Sequence, residues 1–176
     1  MDPMKIPTIE TERLRLRAFT AADCEPYAEM YSDESFVRYL GGKPLSKRQA
    51  WENLAIVLGH WHLLGYGIWA LESLENGKLI GRAGLLNLPG WPDVEVCWAL
   101  APKFWGKGYA TEAAKASVNW AFAEAGLPRL ISLVHPENKA SEAVALRLGE
   151  EWREQITFEG KPANVYEILN PAPEST

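Results

Sequence analysis

The stretch Lys103-Phe104-Trp105-Gly106-Lys107-Gly108-Tyr109-Ala110-Thr111 joins a glycine-bearing turn to the start of an alanine-rich helical pattern, directly after the apolar run 94–100. Strand, turn and helix start in that order point several backbone N–H groups outward beside the positive end of a helix dipole. Such a place binds phosphate oxygens without needing side-chain charge. Gly106 and Gly108 let the main chain approach a ligand closely, and Lys107 adds charge at the rim. The same pattern also arises from the steric needs of a strand-to-helix turn alone. Two common phosphate motifs fit worse. A Walker loop needs Lys-Ser or Lys-Thr after its last glycine, and here Tyr109 follows Gly108. A dinucleotide fingerprint needs a third glycine and an acid at the end of the next strand; the chain has Thr111 and then Val134-His135.

Positioning that turn requires a strand before it and a helix after it, and both are written in the hydrophobic pattern. Leu14, Leu16 and Ala18 alternate with arginines as a first strand. Thr20 caps a helix to about Ser32, with Asp23 completing an acidic capping box, and Ser46 opens a second helix. Strands over 68–74 and 78–86 flank Glu75-Asn76-Gly77, a hairpin signal, and the strand 94–100 follows. The third helix, 109–125, carries a stripe of small residues, Ala110, Ala113, Ala114, Ser117 and Ala121, that lets it approach a sheet closely. Gly126 and Pro128 stop it. A strand over 129–134, a helix capped by Asn138 and ending at Leu148-Gly149, and two strands near 152–158 and 163–169 close the chain. This order predicts one α/β or α+β domain over 9–169, with residues 1–8 and 170–176 as flexible termini.

Composition narrows the setting. A chain of 176 residues, 47% hydrophobic and 23% charged, has the balance of a soluble globular protein with a real core. No apolar run reaches membrane-spanning length, and residues 54–64 are interrupted by Gly59, His60 and His62. The first residues lack the build of a secretory signal, and Cys24 and Cys97 read as reduced packing residues, so a cytoplasmic protein is expected. His60, His62 and His135 show no metal spacing, and no metal is expected. The formal net charge of -5 argues against direct nucleic-acid binding and mildly favours cationic partners, including amines. Arg13, Arg15 and Arg17 share one strand face and read as a solvated edge.

Four separated pieces then carry a family resemblance: Thr11-Glu12-Arg13-Leu14-Arg15-Leu16-Arg17; Val94-Glu95-Val96-Cys97-Trp98-Ala99-Leu100-Ala101-Pro102; Trp105-Gly106-Lys107-Gly108-Tyr109-Ala110-Thr111-Glu112-Ala113; and Asn138-Lys139-Ala140-Ser141 leading to Leu148-Gly149. In this order the chain resembles the GNAT-type N-acetyltransferases, in the branch that includes the Rim-type ribosomal-protein N-terminal acetyltransferases. The resemblance implies a mixed sheet of about six to seven strands flanked by four helices, with the fourth and fifth strands, 94–100 and 129–134, splayed apart. It implies acetyl-coenzyme A in that V, its pantetheine arm on the main chain around Trp98 and Leu100 and its pyrophosphate on the amides of Gly106, Lys107, Gly108, Tyr109, Ala110 and Thr111. Trp105 stands where the wider family has Gln or Arg, and packing under the loop is expected of it.

The implied reaction moves an acetyl group from the thioester to a primary amine, a peptide α-amine or a small molecule, by direct attack. A protonated amine must first lose its proton, and Glu95 is the expected general base, its carboxyl raised by apolar neighbours. Solvated decoration of the strand is the competing role for Glu95. Many relatives carry a tyrosine acid inside the last helix where this chain has Ala145; the Rim-like branch assigns that role to a serine, here Ser141. Asn138 is expected as helix cap or as a contact to the pantetheine region. Glu150 stands where an aromatic is usual. Tyr39, Trp69 and Trp91 are expected at the acceptor site, and the protein is expected to be a monomer or homodimer. The alternative function is a non-catalytic module that senses acyl-coenzyme A.

Overall fold

Period-2 burial sets the sheet: in Leu14-Arg15-Leu16-Arg17 the leucines are fully buried and the arginines half-buried. The computed structural model describes residues 6–171. Its elements in chain order are β1 (Ile9–Glu10), β2 (Leu14–Arg17), α1 (Cys24–Ser32), α2 (Glu34–Val37), α3 (Lys47–Leu64), β3 (Ile68–Ser73), β4 (Leu79–Leu86), β5 (Glu95–Leu100), α4 (Tyr109–Ala123), β6 (Arg129–Val134), α5 (Lys139–Leu148), β7 (Glu151–Phe158) and β8 (Lys161–Leu169). They form one mixed sheet in the order β1-β2-β3-β4-β5-β6-β8-β7. Only β5 and β6 run parallel, because α4 crosses over between them.

The sheet therefore has eight strands among the described residues and five α-helices, one more of each than the sequence suggests. The added strand is the two-residue β1, too short to show a period. The added helix is the single turn α2, capped by Asp33, whose carboxylate accepts from the N–H groups of Ser35 and Phe36. Thr20 opens a short 3-10 turn at Ala21–Asp23 before α1. Residues 1–5 and 172–176 lie outside the described residues, but Ile6, Pro7 and Asn170 make contacts with the body of the domain. Ile6 packs on the core, Pro7 O accepts from the Trp69 indole at 2.8 Å, and Asn170 N donates to Pro128 O at 2.9 Å.

Two layers cover the sheet. Phe19, Tyr27, Tyr31, Leu54 and Val57 pack on Ile68 and Ala70, so α1 and the first part of α3 lie on one face. On the other face α4 buries Ala113, Ala114, Ser117, Val118 and Ala121. Its small side chains allow the close approach that the sequence suggests. Along β5 the faces alternate: Val96 and Leu100 pack beneath α4, whereas Cys97 and Ala99 belong to the α1 side.

The arginine face is not a solvated edge. Arg15 and Arg17 both pair with Glu72 of the adjacent β3, and Arg17 also meets Asp23 at 2.8 Å. Burial opposes ionisation of Asp23, but hydrogen bonds from Arg17 and Thr20 hold its carboxyl below the ordinary value. The carboxylates come from elements distant in sequence, which is why the alternation alone suggests solvent.

Candidate active site

The glycine turn is built by its left-handed positions. Gly106 has φ +71° and Gly108 φ +82°, a region that side-chain-bearing residues rarely occupy. Gly108 is the N-cap of α4 and has no side chain to offer. The first backbone bond of the helix is Glu112 N to Gly108 O at 3.1 Å, leaving the N–H groups of Tyr109, Ala110 and Thr111 without helical acceptors. A Cβ placed on Gly106 would meet no protein atom within 4 Å, so the turn opens outward there. These are the features of an anion seat made of backbone.

A clamp fixes the seat. Arg13 donates through Nε to Glu112 Oε2 at 2.7 Å and through Nη1 to Lys107 O at 2.8 Å, and its guanidinium lies 4.3 Å from the Tyr109 ring centroid. Thr11 Oγ1 and the Arg13 N–H both donate to Glu112 Oε1. Burial would raise the Glu112 carboxyl, yet the bonds from Thr11 and Arg13 hold it below the ordinary range. Thr11 and Arg13, at the start of the chain, thus serve the turn, a link invisible across so many intervening residues.

The neighbouring strands part beside this turn. β5 and β6 share one register pair, Glu95 with Ile131, held by Ile131 N donating to Val94 O at 2.9 Å. By alternation, Val96, Trp98 and Leu100 direct their main-chain groups toward β6. Val96 O accepts from Ser132 Oγ at 3.0 Å, and Leu100 O accepts from Trp105 Nε1 at 2.7 Å. The main-chain groups of Trp98 meet no β6 partner, as β6 has already diverged. Trp105 does not pack beneath the loop: its ring is 52% exposed and its N–H caps the end of β5. The Trp98 ring packs against Val134, Ala145 and Tyr166 on the far side of the opening.

Glu95 sits at the vertex. Its half-buried carboxylate accepts from Trp91 Nε1 at 2.8 Å and from the Leu133 N–H of β6. Burial pushes its pKa up to about 7, with Trp91, Leu133 and Arg82 pulling the other way. A carboxyl near 7 accepts protons at neutral pH far better than an ordinary one. Cys97, on the same face, is pushed by burial and by the nearby Glu95 charge to about 12, so its thiol stays protonated and is no nucleophile.

The other expected residues fall into place unevenly. Asn138 is the α5 cap, its Oδ1 accepting from Ser141 N at 3.2 Å. The Ser141 hydroxyl makes no side-chain bond among the described residues. Trp91 contacts Glu95 and stacks edge-on with Phe158 at 4.9 Å. Tyr39 lies against His135 at the end of β6, ring centroids 5.3 Å apart. Trp69 is not at the surface of any cleft: it is fully buried, edge-on to Trp61 and Trp120, with its indole on Pro7 O. Strand alternation puts Trp69 on the α4 side, opposite Ile68 and Ala70, and that side is core. A groove of about 630 Å³ runs from Trp91 along α3, lined by Ile56, Gly59, Leu63, Leu64 and Pro89. Two charged residues escape the sequence reading, Arg82 in β4 and the role of buried Glu150. Each is a charge inside an otherwise apolar run or at a helix exit, and that was the available sign. Among the described residues no group of three His, Cys, Asp or Glu side chains gathers as a metal site, and no helix is long and apolar enough to cross a membrane.

Known proteins resemble this chain in sequence and fold. The uncharacterized protein YkkB of Bacillus subtilis (strain 168) is 30% identical over 166 residues, covering 89% of this chain and 92% of that protein. The crystal structure of an acetyltransferase from Agrobacterium tumefaciens str. C58 superposes with a TM-score of 0.84 at 34% identity, over 93% of this chain and 95% of that one. RimL, a ribosomal L7/L12 α-N-protein acetyltransferase solved in complex with coenzyme A, shares the fold with a TM-score of 0.77 over 93% of this chain and 98% of its own, at 14% identity. The family model of the acetyltransferase (GNAT) domain matches residues 13–151, from the arginine that clamps the turn to the first residue of β7. The chain belongs to the GNAT acetyltransferase family.

Proposed function

We propose that the protein transfers the acetyl group of acetyl-coenzyme A to a primary amine by direct attack in a ternary complex. Three features laid out along β5 and the turn that follows it carry this reading. They are the uncapped start of α4, the unpaired main chain of β5 at Trp98, and Glu95 poised near neutrality. The residues fit the donor: amides of Gly106, Lys107, Gly108, Tyr109, Ala110 and Thr111 would hold the pyrophosphate, with Trp98 and Leu100 beside the pantetheine arm. Asn138 would keep the start of α5 fixed at the rim. Bound there, acetyl-coenzyme A supplies an activated acyl carbon and a thiolate leaving group.

The chain's own part is proton handling and placement. Glu95 would accept the ammonium proton, directly or through a water, and Trp91 orients the carboxylate that does so. A protonated Cys97 beside it supports attack by the amine itself rather than an acyl-cysteine route. Ser141, with its hydroxyl unengaged, would return a proton to the departing sulfur. Tyr39 and Trp91 would border the acceptor. The resemblance of the chain's motifs to the Rim-type branch favours a protein N-terminal α-amine as one acceptor class, and small-molecule amines are the other.

The test is thiol release from acetyl-coenzyme A over a panel of N-terminal peptides and small amines, alongside thermal unfolding. Donor at about 100 times its dissociation constant should add roughly 2.7 kcal/mol of stability, and some amine should release thiol. Stabilisation without release on any amine would reduce the protein to a sensor of acyl-coenzyme A.

A further inference from the structure

Arg82 is the one charged residue of β4, in the run Leu-Ile-Gly-Arg-Ala-Gly-Leu-Leu, and it lies opposite Ala99 of β5. That register puts it on the face of Glu95 and Cys97, away from α4. The other strand arginines have carboxylate partners: Arg15 and Arg17 on β2, Arg129 on β6 and Arg153 on β7. Arg82 has none among the described residues, and no protein oxygen there accepts a hydrogen bond from it. Its guanidinium carbon lies 5.4 Å from the ring centroid of Tyr31, a residue only 2% exposed. An aromatic platform of this kind holds the planar group in place without satisfying its donors.

The group is nevertheless open to a ligand. Buried side-chain polar atoms without partners are confined, among the described residues, to Glu150 Oε2, so no Arg82 nitrogen is sealed in protein. β4 and β5 are interior strands with neighbours on both sides, yet Arg82, Glu95, Cys97 and Ala99 all keep partial exposure. The covering helices leave this patch of the sheet only partly covered. Its charges are a cation with five unengaged donors at one end and the proton-accepting carboxylate of Glu95 at the other. Glu95 is the carboxylate whose charge reaches Arg82, and Trp91 and Leu133 already occupy it.

Building on the acetyl-transfer reading above, we propose that Arg82 binds a carboxylate of the acceptor, so that the acceptor is a zwitterion carrying both its reactive amine and an anionic group. The ammonium end approaches Glu95 and the carboxylate end takes the guanidinium fork, a charge-assisted pairing with two parallel bonds. A polyamine or an aminoglycoside brings only positive charge to this floor and is repelled at Arg82. The free amino acids and amine-bearing carboxylic acids are the substrate class.

The experiment measures thiol release from acetyl-coenzyme A with matched pairs: free amino acids against their methyl esters and decarboxylated amines, and ω-amino acids of increasing chain length to read the amine-to-carboxylate spacing. Wild type should favour the carboxylated member at least about tenfold in kcat/KM. Compared at pH 9, where Glu95 is ionised with or without the Arg82 charge, Arg82→Gln should lower kcat/KM for that member about 10²-fold more than for the carboxyl-free amine and leave the calorimetric affinity for acetyl-coenzyme A unchanged, with Arg82→Lys between them. Equal use of both members by wild type, or a preference that survives Arg82→Gln, overturns the assignment of Arg82 while acetyl transfer stands. Release with no amine in any arm, with acetyl-coenzyme A still bound, overturns the transfer reading as well. The wild-type comparison decides the matter even where a variant fails to fold.

Discussion

Glu95→Gln is expected to lower turnover about 10²–10³-fold at pH 8 while acetyl-coenzyme A binds as before. The wild-type carboxyl is held near 7, so the proton-accepting form grows as pH rises through that value, and the rate should climb with it and level off above. The glutamine variant keeps the size and the Trp91 contact but cannot accept a proton, so its residual rate should lose this limb. Steady-state rates from pH 5.5 to 9 check the point. A wild-type profile without a limb near 7, or a variant that keeps it, would return Glu95 to a structural role. The same shift has a stability sign. A carboxyl raised in the folded state is most favourable below its unfolded value, and that contribution is lost as pH rises from 4.5 to about 7.

Glu150→Gln should raise stability by about 2–4 kcal/mol at pH 9 with little change at pH 5. Glu150 is 3% exposed, Ser132 Oγ lies 2.9 Å from its Oε1, and its Oε2 has no partner. Burial pushes its pKa up to about 8, against the bond to Ser132 and with help from the Glu95 charge. Between pH 4.5 and 8 the unfolded chain releases this proton while the folded one keeps it, so stability falls across that window and stays lower above it. When protonated, Glu150 donates to Ser132 Oγ, and the serine proton is then free for Val96 O, 3.0 Å away on the other strand. One hydroxyl so ties a buried carboxyl to the parting of β5 and β6. Denaturant unfolding of both proteins at pH 5 and 9 tests this; a difference independent of pH would contradict it.

What the chain reveals by itself depends on how local each cause is. The turn at Gly106 and Gly108, the small stripe of α4 and the Asn138 cap are legible because neighbouring residues determine them. The site residues Glu95 and Trp91 are legible as types, but their contact is made by a bend of the β4–β5 loop that no spacing rule specifies. Trp69 is misread because an aromatic beside a predicted pocket and one beneath it look alike until the strand face is known. The clamp of Arg13 on Glu112 and the isolation of Arg82 need tertiary partners and the lack of them. For β1 and α2, two and four residues give no period to read.

The claim on which the rest depends is that the backbone turn before α4 seats the pyrophosphate of acetyl-coenzyme A. Gly106 offers a direct measurement, because Asn and Asp tolerate its left-handed conformation and the site where a Cβ would stand is free of protein atoms. Calorimetric titration of acetyl-coenzyme A into wild type, Gly106→Asn and Gly106→Asp compares a neutral and a charged side chain in one position. Wild type should bind measurably, the Asn variant modestly less, and the Asp variant at least about tenfold less again from charge repulsion alone. Absence of binding heat in wild type, or equal affinity in the Asn and Asp variants, would contradict that claim.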